Sequence, residues 1–453
     1  MTKSSSPLLP ARGLLVGFLA VFTLASSHAK SPNVLLIISD DQAWTDYGFM
    51  GHPSIKTPHL DQLATESLTF TRGYTPVALC RPALASIATG LYPHEHWVSG
   101  NDPAVPLDGS NAMTSRQNPQ LAPVYNAVIQ NFARHPNFIR DLTSRGYLAL
   151  QTGKWWEGNP RETAGFTHAM TKGNPGRHGD DGLTISRKGH APIISFLDEA
   201  ETAQRPWLIW HAPFLPHSPH TPPAEILARY LPLAPNEAVA RYWANVDWFD
   251  QTCGELLAEL EARGERENTI IIYVCDNGWI QGSMVNRFAP RSKLTPYEGG
   301  IRSPIMVSWR GKITPLHDDT HLASNLDVWP TLAALLGVEA PATLPGINLT
   351  DSKAVASRRA IYGEQFAHDI ANIFVPAQSL HSRWTVDGDW KLIAHQPLAA
   401  APAPLELFNL AQDPHETTNL AASQPAKAAQ LLAALDAWWT PYYPAPREYR
   451  AVE

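Results

Sequence analysis

Residues 32–39 are PNVLLIIS, and two aspartates, Asp40 and Asp41, follow at once. An unbroken apolar run of this length is typical of a parallel strand that is buried on both faces. The next stretch, TPHLDQLATESLTF at 57–70, opens with an N-cap threonine and a first-turn proline and has apolar residues at helical spacing up to Leu68. The two stretches together predict a strand followed by a helix, the repeating unit of an α/β sheet.

Three later apolar runs also end in polar residues. They are GYLALQT (146–152) before Gly153 and Lys154, WLIWHAPF (207–214) before Pro216 and His217, and TIIIYVC (269–275) before Asp276 and Asn277. The carboxyl ends of parallel strands meet at one edge of an open α/β sheet, where ligands bind. We therefore predict an α/β fold with a large, mostly parallel sheet flanked by helices, and a site at that edge.

The sequence changes character near residue 350. Short segments such as SRWTVDGDWKLIAH and LELFNL follow, and then an Ala/Leu-rich helix from about 423 to 439. This pattern predicts a smaller C-terminal α+β domain with an antiparallel sheet, at 351–453, after a catalytic α/β domain at 30–350. Two stretches rich in polar residues, roughly 103–137 and 173–190, are expected to be long loops at the binding edge.

The first residues have the pattern of a secretory signal peptide, which we place at 1–29. Lys3 and Arg12 precede an apolar run from Leu14 to Ala25. That run is shorter than the roughly 20 apolar residues that a membrane span needs. We therefore expect a periplasmic or secreted protein with no membrane attachment after cleavage.

Composition excludes one class of partner. The 453 residues carry a net charge of −7, and no stripe of Lys and Arg with interleaved aromatics is present, so nucleic-acid binding is not expected. The chain has three cysteines, Cys80, Cys253 and Cys275, so at most one disulfide can form in an oxidising compartment.

The polar residues after the first and last of these strands suggest a metal site. Asp40, Asp41, Asp276 and Asn277 offer oxygen ligands only. Hard cations such as Ca²⁺ or Mg²⁺ prefer this set, whereas Zn²⁺ prefers His and Cys.

Cys80 opens the stretch CRPALASIATG, in which Pro82 and Gly90 mark the start and end of a short helix. Unpaired N–H groups at such a helix start attract anions and are expected to lower the pKa of a thiol there, which suits a nucleophile or a metal ligand. Cys253 and Cys275 lie on a predicted helix face and in a strand, so we expect them to be small buried apolar residues.

Together these motifs resemble the type I sulfatases of the alkaline phosphatase superfamily. The resemblance covers nearly the whole mature chain, in the same order, and rests on Cys80-Arg81-Pro82 with TGLYPH, Asp40-Asp41, GKW at 153–155, PHSPHTPP at 216–223, Asp276-Asn277-Gly278, KLTPYEGGIRSP at 293–304 and LFNLAQDPHETTNL at 407–420.

The resemblance implies a specific chemistry. Cys80 would be oxidised to formylglycine by a maturation enzyme, and Ca²⁺ would be held by Asp40, Asp41, Asp276 and Asn277. Lys154, His217 and Lys293 would match the residues that grip sulfate and serve the leaving group. One hydroxyl of the aldehyde hydrate would attack sulfur, and the other would collapse to the aldehyde and release sulfate.

The chain departs from the family pattern at two positions. The motif CxPxR has Leu84 where the family has Arg, and GKWW has Trp156 where the family usually has His. Nearby polar residues are candidates to replace these donors and to bind substrate; they are Arg81, His94, His96, His220 and Asp180. Trp44, Trp97, Trp155 and Trp156, with His178, are further candidates for stacking on sugar rings.

We therefore expect an exported, calcium-dependent sulfuric-ester hydrolase that acts on a sulfated carbohydrate. Two alternatives stay open from the sequence: a phosphonate monoester or phosphodiester hydrolase of the same superfamily, and a sulfatase-like protein that binds a sulfated ligand without turnover.

Overall fold

The apolar run that opens the mature chain forms a central strand, Asn33–Ser39, in which every residue is buried. It lies in an eight-stranded sheet. In a computed structural model, residues 1–4, 31–104, 122–172, 180–396 and 404–441 are described. The predicted signal peptide is outside these residues except for its first four, and His178 is also outside them. Among the helices of the described residues, none is long and apolar enough to cross a membrane.

The strands in chain order are β1 (Asn33–Ser39), β2 (Leu68–Phe70), β3 (Gly73–Tyr74), β4 (Asp102–Pro103), β5 (Leu148–Gly153), β6 (His168–Ala169), β7 (Trp207–Ala212), β8 (Thr269–Cys275), β9 (Ile305–Ser308), β10 (Leu316–Asp318), β11 (Ala323–Ser324), β12 (Ala360–Phe366), β13 (Asp369–Ile370), β14 (Leu380–Asp387), β15 (Trp390–His395) and β16 (Leu405–Asn409). The α-helices are α1 (Pro58–Thr65), α2 (Cys80–Thr89), α3 (Pro93–His96), α4 (Ala122–Ala133), α5 (Phe138–Ser144), α6 (Pro160–Thr163), α7 (Ala191–Ala203), α8 (Ala224–Tyr230), α9 (Glu237–Ala262), α10 (Glu298–Ile301), α11 (Val328–Leu336), α12 (Ser352–Ser357) and α13 (Pro425–Trp438).

The large sheet has the order β10-β2-β9-β8-β1-β7-β5-β6. Strand β1 is parallel to both of its neighbours, β7 and β8, and within this sheet only β9 runs against the strands beside it. The mostly parallel sheet is therefore confirmed. Because β1, β5, β7 and β8 point the same way, the residues that follow them meet at one edge.

Side chains alternate across the sheet and feed two apolar cores. Val34, Leu36 and Ile38 face a core with helices α2, α5 and α11, while Leu35 and Ile37 face a core with α1, α7 and α9. Helices thus cover both faces, as a buried parallel sheet requires.

The C-terminal region forms a four-stranded antiparallel sheet of order β12-β14-β15-β16, which confirms the predicted α+β character. Helix α13 covers one face through Leu431, which packs with Leu392 and Leu407. The other face packs Trp384 and Phe408 against residues of the first part of the chain, among them Tyr74 and Ile301. The boundary that we place at 350–351 stays a prediction.

Local predictions differ from the structure in a few places. Helix α1 ends at Thr65, and Leu68 lies in β2, where it pairs with Val307. The stretch 103–137, predicted as loop, contains helix α4, whose Val128 and Phe132 enter the core. All three cysteines are free, because they lie in separate buried places.

Candidate active site

Two strand ends deliver the acidic residues to one place. Asp276 Oδ1 accepts hydrogen bonds from the backbone N–H groups of Asp41, at 3.1 Å, and Asn277, at 2.6 Å. The side-chain amide of Asn277 donates to Asp41 Oδ1 at 2.7 Å. Asp40, Asp41, Asp276 and Asn277 are all buried. The four residues predicted as metal ligands therefore lie together at the ends of β1 and β8.

Two lysines reach this acidic group. Lys154 Nζ lies 2.7 Å from Asp40 Oδ1, and Lys293 Nζ lies 2.6 Å and 2.7 Å from the two oxygens of Asp41. Gly153, which ends β5, has a φ of 78°, and a Cβ there would lie 1.7 Å from the carbonyl oxygen of Ala212. Only glycine fits this turn, which brings the chain close to β7 and lets Lys154 N–H bond to the same carbonyl at 2.8 Å.

Burial and charge act against each other on the ionisable groups. Burial alone would lower the pKa of Lys154 and Lys293, but the carboxylates of Asp40 and Asp41, respectively, raise the pKa of each lysine above its ordinary value. Desolvation raises the pKa of Asp40 and of Asp276, and Lys154 offsets part of that rise. The lysines are therefore held as ammonium groups.

Cys80 and His217 complete the cluster. Lys293 Nζ lies 3.1 Å from Cys80 Sγ, and His217 Nε2 lies 3.3 Å from Asp41 Oδ2. One potential ligand atom from each of Asp40, Asp41, Cys80 and His217 falls within 4.8 Å of the others. The four residues predicted to be catalytic, Cys80, Lys154, His217 and Lys293, are thus brought to the same place.

The thiol of Cys80 differs from the sequence expectation. Burial raises its pKa to about 12, although Lys154 and Lys293 pull the pKa down. The side chain is only 2% exposed, and Asn101 Oδ1 already accepts the N–H of Arg81 in the first turn of α2, at 3.0 Å. The predicted lowering of the thiol pKa by the helix start is therefore wrong, because desolvation outweighs it.

Three oxygen atoms in the acidic group have no hydrogen-bond partner among the described residues. They are Asp40 Oδ2, Asp276 Oδ2 and Asn277 Oδ1, and all are buried. Leaving a buried acceptor unsatisfied costs about 1–3 kcal/mol, and more for a charged group. A hard cation coordinates such carboxylate and amide oxygens, so these residues fit the calcium ion that the family resemblance implies.

Two of the candidate substrate-binding residues make other contacts. Arg81 forms a buried two-pronged ion pair with Glu157, at 2.7 Å and 2.8 Å. His94 bonds to Glu364 at 2.7 Å and stacks on Trp439 with ring centroids 4.2 Å apart. Burial would lower the pKa of His94, but Glu364 raises it.

The remaining candidates are also buried. His96 lies 3.0 Å from Ser86 Oγ, and burial lowers its pKa well below the ordinary value. Asp180 caps a short 3₁₀ helix by accepting the N–H of Gly182 at 3.1 Å. His220 packs against Tyr242 and Trp279 with no partner for either ring nitrogen among the described residues, and burial lowers its pKa to about 4.

The two departures from the family motif lie beside each other. Leu84 and Trp156 line a cavity of about 10 Å³ together with Arg81, Trp155 and Glu157. Leu84 is 5% exposed and belongs to the main core. Trp155 is also a core residue, with Phe132, Phe166 and Trp210 around it, rather than a stacking platform for sugar.

Sequence reasoning missed two residues close to the site. Glu157 directly follows GKWW, but no local pattern identifies it as the partner of Arg81, which lies 76 positions earlier. Arg187 lies in the stretch ISRKGH, with no periodic pattern to single it out, yet its guanidinium contacts the loop that carries His217.

Comparison with known proteins agrees with this geometry. The sulfatase family model matches residues 32–338, and the model of the C-terminal part of N-sulphoglucosamine sulphohydrolase matches residues 291–437. Arylsulfatase A of Bos taurus is 30% identical over 470 residues, which cover 90% of this chain and 87% of that protein. N-acetylglucosamine-6-sulfatase of Homo sapiens is 27% identical over 389 residues, which cover 75% of this chain and 68% of that protein.

A solved structure in complex with its substrate D-glucosamine-2-N,6-O-disulfate is similar in fold, with a TM-score of 0.68 and 19% identity over 90% of this chain and 97% of that one. The family match spans more than half of the sequence and includes the acidic group, Cys80 and both lysines. This chain therefore belongs to the sulfatase family, the sulfuric-ester hydrolases of the alkaline phosphatase superfamily.

Proposed function

We propose that this protein removes sulfate from a sulfated carbohydrate, with residue 80 as formylglycine and a calcium ion held by Asp40, Asp41, Asp276 and Asn277. The observation that carries the proposal is the contact between Lys293 and both Cys80 and Asp41, at 3.1 Å and 2.6 Å. One ammonium group thereby joins the nucleophile position to the acidic group that would hold the ion.

The donor set favours Ca²⁺ or Mg²⁺ over Zn²⁺. Cys80 and His217 lie within reach of the carboxylates, but within the acidic group the buried atoms that lack a partner among the described residues are oxygens, from Asp40, Asp276 and Asn277. When bound, a divalent cation would neutralise charge on the sulfate group and on the nucleophile.

The chain's own residues supply positioning and charge. Lys154 and Lys293 stay protonated beside the carboxylates, so two buried cations would face an anionic sulfate. His217, on the edge of the cluster and 12% exposed, can donate an N–H to the departing alcohol oxygen. An aldehyde hydrate at position 80 would supply one hydroxyl to attack sulfur, with the alcohol leaving, and a second whose deprotonation would re-form the aldehyde and release sulfate.

The carbohydrate part of the proposal is supported by relatives. One has N-acetylglucosamine-6-sulfate as the substrate in its name, and one similar fold holds a disulfated glucosamine. The sugar of this protein and the sulfate position would be found by assay of a panel of sulfated saccharides.

The first experiment measures sulfate release from sulfated saccharides and, in parallel, turnover of a phosphonate monoester and a phosphodiester. We expect sulfate release by the wild type and by Cys253→Ala, and none by Cys80→Ala. Cys253 is a matched control because it is buried on helix α9, away from the acidic group. Preferred turnover of the phosphorus esters would instead favour the other hydrolase class, and activity in Cys80→Ala would remove the proposed nucleophile.

Mass spectrometry of the Cys80 peptide from the native host tests the modification. We expect the thiol to be replaced by an aldehyde, whereas an intact thiol with no sulfate release would identify a binding protein. EDTA or EGTA should abolish activity, and added Ca²⁺ should restore it. N-terminal sequencing of the protein from the periplasm or medium tests export and cleavage after residue 29.

A further inference from the structure

Arg187 lies beside the catalytic cluster and makes an unusual set of contacts. Among the described residues, its guanidinium donates hydrogen bonds only to the segment 214–221, which we call the His217 loop. The acceptors are Phe214 O from Nη2 at 2.7 Å and Nε at 3.0 Å, His217 O at 3.0 Å, Pro219 O at 3.3 Å, and Thr221 Oγ1 at 3.1 Å. One side chain thus binds four residues of a single loop.

The guanidinium gathers several backbone carbonyls of the loop. Three backbone oxygens of the His217 loop, of Phe214, His217 and Pro219, accept hydrogen bonds from this one side chain. No carboxylate of the described residues forms an ion pair with Arg187 within the salt-bridge distance, so the loop carbonyls take the place of a counter-ion. The planar guanidinium of arginine has five N–H donors in a fixed arrangement, so it can bond several carbonyls in different directions at once.

Stacked side chains connect Arg187 with the His217 imidazole. The guanidinium carbon lies 5.6 Å from the centroid of Phe214, and the rings of Phe214 and His217 stack with centroids 4.3 Å apart. His217 Nε2 then lies 3.3 Å from Asp41 Oδ2. Arg187 therefore fixes both the backbone of His217, through its carbonyl, and the imidazole plane, through Phe214.

We propose that Arg187 is the positioning residue of the His217 loop and holds the His217 imidazole in the place where it meets the sulfate ester. The inference rests on the proposed function, because it assigns His217 to that reaction. Arg187 lies in 173–190, a stretch that the sequence predicts as loop, so its role follows from contacts and not from a motif.

Kinetics of Arg187→Gln, with Arg205→Gln as the matched control, test the role. Arg205 also binds backbone carbonyls, of Gly146 and Tyr147 at 2.8 Å and 3.2 Å, but just before β5 begins, away from the catalytic residues. We expect Arg187→Gln to lower kcat/KM by about ten- to a hundredfold, the size of effect known for a misplaced catalytic group. Arg205→Gln should leave kcat/KM unchanged, and Arg187→Lys should fall between Arg187→Gln and the wild type.

A double-mutant cycle separates positioning from general support of the fold. If Arg187 acts through His217, Arg187→Gln costs little more once His217 is already Ala. An equal loss of kcat/KM in both backgrounds, or no loss in either, overturns the proposal.

Hydrogen exchange provides a readout that does not depend on turnover. We expect faster exchange in peptides that span 214–221 in Arg187→Gln, and wild-type exchange there in Arg205→Gln. Unchanged exchange in the His217 loop overturns the proposal even if activity falls. If the wild-type protein releases no sulfate from any substrate, the proposed function fails, and the exchange result alone decides whether Arg187 holds the loop.

Discussion

At the scale of single residues, the position that departs most from the family motif is Leu84. It is 5% exposed in the main core and borders a cavity of only about 10 Å³. An arginine is longer than leucine, and at this position it would lie among Arg81, Trp155, Trp156 and Glu157. The small cavity therefore leaves little space for the longer side chain of the motif arginine.

We predict that Leu84→Arg lowers the unfolding temperature and does not raise the rate of sulfate release, because it overpacks the core and adds a second guanidinium beside the first. Leu84→Met, which conserves volume, should cost less than about 1.5 kcal/mol. Differential scanning fluorimetry and a sulfate-release assay measure both effects. A stable and more active Leu84→Arg would show that the site lacks a donor that this position can supply.

Arg81 is a second residue whose role follows from its surroundings, because it is buried in an ion pair with Glu157. We predict that Glu157→Gln destabilises the fold by about 3–5 kcal/mol, because it removes the carboxylate that is paired with the buried Arg81 guanidinium. The two side chains are 3% and 5% exposed. Glu237→Gln, which breaks the exposed pair with Arg241, is the control and should cost about 0.5 kcal/mol or less. Denaturant unfolding measures the difference, and similar losses in both variants would contradict the prediction.

The individual roles show what local sequence can and cannot predict. Asp40, Asp41, Asp276 and Asn277 follow unbroken apolar runs, so their meeting at the sheet edge could be predicted from pattern alone. The pairing of Arg81 with Glu157 could not, since the two residues are 76 positions apart. The raised pKa of Cys80 could not be predicted from the sequence either, because its burial depends on all the elements that pack around helix α2.

At the scale of elements, helix α1 shows how a cap can come from elsewhere in the chain. Thr57 occupies the N-cap position, as predicted, but its side chain makes no capping bond. Instead, Asp250 of helix α9 accepts the N–H groups of Leu60 at 2.7 Å and His59 at 3.2 Å. A tertiary contact has replaced the local one, which a linear pattern cannot show.

This cap makes stability depend on pH. Burial raises the pKa of Asp250 from 3.8 to about 7, although the two N–H groups pull it down. The folded state therefore binds the Asp250 proton more tightly than the unfolded state does. The contribution of this proton to the free energy of unfolding is complete below the unfolded pKa and is lost as pH rises to about 7. We predict a steeper fall of the wild-type unfolding temperature over that range than for Asp250→Asn. Asp319→Asn, at an exposed carboxylate, should keep the wild-type slope, and equal slopes in all three proteins would contradict the assignment.

At the scale of the whole molecule, a buried charge cluster ties the C-terminal sheet to the catalytic region. Lys391 of β15 lies 3.0 Å from Glu298 Oε1 and 2.7 Å from Glu416 Oε1. Glu416 also accepts the backbone N–H of Glu298 at 2.6 Å. Glu298 begins helix α10, five residues after Lys293, so the C-terminal sheet anchors the segment that carries this lysine of the candidate site.

We predict that Lys391→Met destabilises the protein by about 3–5 kcal/mol, because two buried carboxylates then lose their shared cation. Burial and the charge of Glu298 raise the pKa of Glu416 to about 7, even with Lys391 lowering it. Without the lysine the variant should be more stable at pH 5 than at pH 8, as protonation removes one charge. Thermal unfolding at the two pH values measures this, with Lys312→Met at an exposed lysine as control.

A second substitution, Glu416→Gln, should recover part of the stability of Lys391→Met at pH 8. Failure to recover any would mean that the lysine acts through packing of its apolar stem instead of through charge.

The near-complete enclosure of Cys80, at 2% exposure, bears on the proposed conversion of this residue to formylglycine. If that conversion takes place, the finished helix α2 and the sheet beneath it leave a maturation enzyme little access to the thiol. We therefore expect conversion before the chain folds, during synthesis or translocation. Molecules that fold first would keep the thiol, and the fraction of aldehyde in a preparation would measure how often conversion comes before folding.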